Sequence, residues 1–130
     1  GGKNISPQQI ESMLGEELMI EQFVAIGDGR KFISALVVPS FTMLEDYCKK
    51  NGIPFTSREE VIRDPKIMKL YEDIVAQRTK SLGRVEQIKK ITLLTDELTQ
   101  EGGELTPTMK LKRKQINEKY RHLIEEMYKE

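Results

Sequence analysis

The chain has a single cysteine, Cys48, and no tryptophan. One cysteine cannot close an internal disulfide, which excludes a disulfide-stapled secreted scaffold and leads to the expectation of a cytoplasmic protein. No cationic start followed by an apolar run reads as a signal peptide. Net charge is missing too: 21 Lys and Arg balance 21 Asp and Glu, so no overall field draws the chain to nucleic acid or to an anionic membrane. No apolar run approaches the roughly 20 residues needed to cross a bilayer, so any lipid link has to come through a substrate or a surface contact. Also absent are a Walker loop, a paired metal-ligand motif and a nucleophile elbow, so no metal site is expected. His122 and Cys48 have no partners at triad or ligand spacing, and read as a helix-surface residue and a core residue.

What is there is one domain. At 130 residues the chain can bury one sizeable core, and we read residues 1–130 as a single unit. Ser6-Pro7-Gln8-Gln9 is a capping box with proline at the first helical position, and Ile10, Met13, Leu14 and Leu18 follow at helical spacing. Two apolar runs, Phe23-Val24-Ala25-Ile26 and residues 32–38, flank Gly27-Asp28-Gly29-Arg30 and predict an antiparallel hairpin.

Pro39 ends the second run, and Ser40 caps a short helix that turns Phe41, Leu44, Tyr47 and Cys48 inward and stops at Asn51-Gly52. Ser57-Arg58-Glu59-Glu60 is a further capping box. Asp64-Pro65 starts a longer helix with Ile67, Met68, Tyr71, Ile74, Val75 and Leu82 on one stripe, closed by Gly83. Residues 88–95 are rich in β-branched side chains and predict a third strand, whose lysines belong near an edge or an end. After a polar segment containing Gly102-Gly103 and Pro107, the positions Ile116, Tyr120, Leu123, Ile124 and Met127 predict one terminal amphipathic helix. The expected fold is α+β: a small three-stranded, mainly antiparallel sheet with a β-hairpin, covered by helices.

The basic run Lys110-Leu111-Lys112-Arg113-Lys114 sits where that last helix begins. It reads as a solvated helix start, as a nucleic-acid patch, or as a lysine aimed at an anionic ligand, and pattern alone favours the first. The neutral net charge and the lack of a repeated aromatic platform argue against nucleic acid as a partner. Cations at a helix N-terminus oppose its dipole, so compensation from outside this chain is expected.

Two segments carry a more specific signal. The opening Gly-Gly-Lys-Asn-Ile-Ser-Pro-Gln-Gln-Ile-Glu, residues 1–11, resembles the segment of acyl-adenylate-forming enzymes in which a glycine-rich strand leads into a helix that begins Ser/Ala-Pro and carries a following glutamate, here Glu11. The closing Glu-Leu-Thr-Pro-Thr-Met-Lys-Leu-Lys-Arg-Lys, residues 104–114, is similar to the loop bearing that superfamily's catalytic lysine, which falls on Lys110, with the trailing arginine on Arg113. Thr108-Met109 replaces the common Ser-Gly before the lysine, a departure that resembles the long-chain fatty acid-CoA ligase branch. The order of hairpin, middle helices and third strand extends the resemblance over nearly the whole chain.

The resemblance implies the mobile C-terminal domain of an AMP-forming ligase. Such an enzyme makes acyl-adenylate from a fatty acid and ATP with Mg, then transfers the acyl group to CoA. It implies that Lys110 is catalytic in the first step, that Gly1, Gly2 and Lys3 line the CoA path in the second, and that Gly102 and Gly103 let the Lys110 loop move. It further implies an N-terminal adenylation domain as partner, supplying the nucleotide, metal and fatty-acid sites, and a peripheral membrane contact of the full enzyme. A chain opening on Gly-Gly-Lys is accordingly expected to be a segment of something longer, inactive alone. An aryl- or bile-acid-activating relative and a domain of purely structural or regulatory role are the alternatives.

Overall fold

The computed structural model describes residues 5–129, apart from the side chain of Val85. Helix α1 (Pro7–Leu14) starts as its capping box requires: Ser6 Oγ accepts from the Gln9 N–H at 3.2 Å, and Gln9 Oε1 accepts from the Ser6 N–H at 2.8 Å. The helix stops after two turns, so Leu18 lies beyond it and is 72% exposed instead of continuing the apolar stripe.

Strands β1 (Ile20–Ile26) and β2 (Ile33–Pro39) pair antiparallel, with Ala25 opposite Ala35 and Phe23 opposite Val37. In the turn between them the Arg30 N–H donates to the Gly27 carbonyl at 3.0 Å, and Gly29 takes the positive φ of 70° that the turn needs. Then come α2 (Phe41–Lys50), α3 (Arg58–Val61), α4 (Pro65–Arg78) and a 3-10 turn (Arg84–Glu86). They carry the chain back to β3 (Ile88–Leu93), which joins β2 in parallel. A parallel neighbour is what a long helical crossover permits, so the sheet, of order β1-β2-β3, is mixed. Lys89 and Lys90 are exposed on β3, an edge strand that their charge protects.

The alternation of side chains along β1 and β2 feeds two cores. Phe23, Ala25, Ala35 and Val37 face Ile10 and Leu14 of α1, Leu44 and Cys48 of α2, and Ile67, Tyr71 and Val75 of α4. Val24, Ile26, Leu36 and Val38 face the other way, against Leu98, Leu105, Ile116, Ile124 and Met127. Burial on both faces explains why these strands are continuous apolar runs rather than alternating ones. The buried Tyr71 hydroxyl donates to the Met19 carbonyl at 2.8 Å, tying α4 to the entry of β1.

The C-terminal element is two helices, α5 (Arg113–Lys119) and α6 (Arg121–Tyr128), broken at Tyr120 where φ is −105° and ψ 23°. The break turns Leu123 outward, 40% exposed, while Ile116, Ile124 and Met127 reach the core.

Candidate functional site

The site grows from the segment that joins β3 to α5. Leu105 and Leu111 pair as an antiparallel bridge. Inside it the Thr106 N–H donates to the Lys110 carbonyl at 2.8 Å, and the Lys110 N–H donates to Thr106 Oγ1 at 3.0 Å. The Met109 N–H donates to the Thr106 carbonyl at 2.8 Å, and Met109 takes a φ of 65°, the one non-glycine in the left-handed region among the described residues. Residues 106–110 therefore form the tip of a small hairpin, with Lys110 and Met109 exposed on it. Among the described residues the Lys110 ammonium has no ion-pair partner.

Both ends of this hairpin are fixed. On the outgoing side, the Glu104 carboxylate is 1% exposed and accepts from the Thr99 N–H at 3.1 Å and from Lys119 Nζ at 3.0 Å. That contact holds the Lys119 ammonium above its ordinary pKa range. The Glu104 carbonyl accepts from the Lys112 N–H at 2.8 Å. Gly103 turns with a φ of 88°, and a Cβ on Gly102 would lie 2.5 Å from Glu104 Oε2. The close approach to the buried carboxylate accounts for Gly102, and the left-handed backbone accounts for Gly103.

On the return side, Arg113 at the start of α5 meets Glu11 of α1 through two contacts, 2.7 and 3.0 Å. Glu11 Oε2 also accepts from the Ala25 N–H at 2.9 Å, so the pair is seated on the edge of β1. The cation at the helix start is thus compensated from within the chain and not, as expected, from outside it. Nearby, Gln22 exchanges two hydrogen bonds with the backbone of Leu98, donating to its carbonyl at 2.9 Å and accepting from its N–H at 2.6 Å.

An open groove of about 630 Å³ separates α1 from the hairpin. Gln8 and Glu11 form one wall and Met109, Lys110 and Leu111 the other, over the buried Phe23 and Leu105. The site therefore offers an exposed cation on a braced tip beside a partly apolar groove, next to the helix that follows residues 1–4. Gly1, Gly2 and Lys3 lie outside the described residues. His122 is exposed on α6 and Cys48 is buried in the core, and neither joins a cluster of three metal-ligating side chains among the described residues. Glu104, which sequence reasoning did not single out, is the main brace on the outgoing side; its only signal was a charged residue between Gly103 and Leu105.

The family model described as AMP-binding enzyme C-terminal domain matches residues 1–130. The chain belongs to this family. A long-chain-fatty-acid–CoA ligase of Mycobacterium tuberculosis, FadD15, is 34% identical over 129 residues, covering 98% of this chain and 22% of that protein. The human long-chain-fatty-acid–CoA ligase ACSBG1 is 32% identical over 148 residues, covering 100% of this chain and 20% of that protein. This C-terminal domain thus spans about a fifth of the curated relatives it matches. The adenylation domain of a carboxylic acid reductase from Segniliparus rugosus, solved with AMP and a co-purified carboxylic acid, superposes with a TM-score of 0.76 over 98% of this chain and 18% of that one. At 20% identity that likeness speaks for the fold alone. No helix among the described residues of this AMP-binding enzyme C-terminal domain is long and apolar enough to cross a membrane.

Proposed function

We propose that this domain serves an AMP-forming long-chain fatty acid-CoA ligase and supplies Lys110 to the adenylation half-reaction. The observation that carries the reading is the placement of Lys110: an exposed, unpaired ammonium on a hairpin tip fixed at both ends. A cation so presented is available to an active site completed by another domain, the adenylation domain that relatives about five times as long have room for.

In the first half-reaction a carboxylate oxygen of the fatty acid attacks the α-phosphorus of ATP. The new O–P bond forms as the bond to pyrophosphate breaks. Both reactants are anionic, and the ammonium of Lys110 bridges the carboxylate and the α-phosphate while charge is shared between them. A lysine suits this task because it is a compact charge on a long stem. The contact is strongest in the transition state, so its loss lowers turnover more than binding.

In the second half-reaction the CoA thiol gives up its proton and attacks the acyl carbonyl, and AMP leaves. There the domain turns so that Gly1, Gly2 and Lys3 border the CoA path. Magnesium accompanies ATP in such chemistry. Among the described residues no three Asp, Glu, His or Cys side chains converge as ligands, and the metal is left mainly to the adenylation domain.

The test uses the polypeptide that joins this domain to its adenylation domain. Lys110→Ala is expected to cut palmitate-dependent pyrophosphate release by about a hundredfold or more, while thioester formation from supplied acyl-adenylate persists. Survival of both half-reactions would overturn the assignment. The isolated 130-residue chain is expected to form no thioester, and thioester made by the pure chain would count equally against it.

A further inference from the structure

We propose that Glu104 is a positioning residue for Lys110, acting through its ion pair with Lys119; this rests on the reading of Lys110 given above. A buried carboxylate is costly to desolvate, and an apolar side chain could fill the same space. What the carboxylate adds is connection. It takes the N–H of Thr99 at the entry to the segment and the ammonium of Lys119 on α5, while its own carbonyl takes the N–H of Lys112 on the return arm. Three stretches of chain meet at one residue, six positions before Lys110.

The loop is shaped around that residue. Gly102 approaches so closely that a Cβ would lie 2.5 Å from one carboxylate oxygen and 2.7 Å from the other. From Glu104 the hairpin runs through the Leu105–Leu111 bridge, where Leu105 is buried in the core and Leu111 packs against it, and through the Thr106–Lys110 hydrogen bonds to the tip, where Gln100 Nε2 donates to the Met109 sulfur at 3.3 Å; Glu104 is the charged anchor at its base. The Lys110 side chain has four rotatable bonds and, among the described residues, no ion-pair partner, so the hairpin backbone sets the region its ammonium can reach and the stem's freedom does the rest. A misplacement of about 1 Å at a reacting centre can cost on the order of a hundredfold in rate. Lys119 is half exposed, yet without its charge the Glu104 carboxylate is left buried against backbone alone.

The experiment takes the same joined polypeptide with Glu104→Gln, Lys119→Met, Lys119→Arg, Lys110→Ala and the double variant Glu104→Gln/Lys110→Ala. It reads kcat and KM of adenylation, thioester formation from supplied acyl-adenylate, and the thermal midpoint. Glu104→Gln places an amide N–H₂ against a donor, and it and Lys119→Met should lower the adenylation kcat about tenfold, with KM for ATP and the thioester step unchanged. Lys119→Arg, which keeps the charge, should restore the rate to within about twofold. The double variant should be no slower than Lys110→Ala, because Glu104 acts only through that lysine.

A merely structural Glu104 gives a different pattern. Both half-reactions then fall together with the thermal midpoint, or the loss in the double variant multiplies, and either result overturns the proposal. If Lys110→Ala itself spares adenylation, the reading of Lys110 fails and this proposal falls with it. If Lys110→Ala abolishes adenylation while Glu104→Gln leaves it intact, only the present proposal is lost.

Discussion

Glu11 and Arg113 stand 102 residues apart in the chain and meet in a two-point contact of 2.7 and 3.0 Å. The pair joins α1 and the edge of β1 to the helix that begins three residues after Lys110. The two segments that carried the resemblance, residues 1–11 and 104–114, are therefore tied to each other by side chains near the C-terminal end of each.

That pair should be measurable as stability. The two side chains are only 16% and 31% exposed, and Glu11 also serves the Ala25 N–H. Glu11→Ala is expected to cost about 2–3 kcal/mol, since it strands a guanidinium and a backbone donor, and Arg113→Ala about 1–2 kcal/mol. A double-mutant cycle read by urea unfolding should return a coupling of about 1–2 kcal/mol. Arg113→Lys should recover only part of it, because an ammonium cannot make the forked contact. Additive single losses would show that the contact contributes nothing of its own.

The glycines before Lys110 make a second, sharper case. Gly102→Ala is expected to cost about 1–3 kcal/mol by pushing the Glu104 carboxylate off its partners, and nearly nothing in a Glu104→Ala background where those atoms are gone. Gly103→Ala should cost about 1 kcal/mol in either background, because its penalty comes from a φ of 88° and not from a neighbour. Chemical denaturation of the four combinations separates the two causes. Equal behaviour of Gly102→Ala in both backgrounds would remove the carboxylate from the explanation.

The same two glycines show what sequence can and cannot convey. Local signals were legible: the Ser6–Gln9 capping box, the Gly27–Arg30 turn and the apolar runs of β1 and β2 are each set by neighbours a few residues away. Glu11, Lys110 and Arg113 were legible as members of motifs. The Glu11–Arg113 contact was not, since nothing local records a partner 102 residues off. Glu104 stayed hidden because a lone acid among glycines has no periodicity, and its burial depends on Lys119 folding over it. Leu18 and Leu123 were placed inward by extending a helical period past Leu14 and across Tyr120, where the backbone departs from it. The parallel direction of β3 follows from the crossover and leaves no trace in the strand's own residues.

Cys48 offers a test of the core on the far face of the sheet. Its side chain is fully buried, and burial raises the thiol pKa above its ordinary value. The thiolate is the reactive form, so the folded protein is expected to resist iodoacetamide near pH 8, and labelling should appear only as fast as the domain opens. Prompt labelling under native conditions would place α2 off the sheet. Tyr71→Phe, which leaves the Met19 carbonyl with only the Ser40 N–H as donor, should speed that labelling while costing about 1 kcal/mol.

The acid limb of stability should carry a contribution from Arg30 and Glu125, which join the hairpin turn to α6 at 2.6 Å. The hydrogen bond from Arg30 holds the Glu125 carboxyl below its ordinary pKa, with the guanidinium charge adding to it. A carboxylate depressed in the folded state stabilises at pH values above its unfolded pKa, near 4.3, and the contribution is lost as pH falls through the lower folded value. The gap in stability between the wild type and Glu125→Gln should therefore be present at pH 7 and close below about pH 4. Because Glu125 is exposed, the gap should also shrink in about 1 M NaCl, where the Debye length falls to about 3 Å. Arg30 additionally lies 4.7 Å from the centroid of the Tyr128 ring, so Arg30→Gln should destabilise more than Glu125→Gln and keep part of its cost at low pH. A gap for Glu125→Gln that ignores both pH and salt would mean that α6 is held to the turn by the Phe32–Tyr128 stack and the Tyr128 hydroxyl, which donates to the Phe32 carbonyl at 2.7 Å, and not by charge.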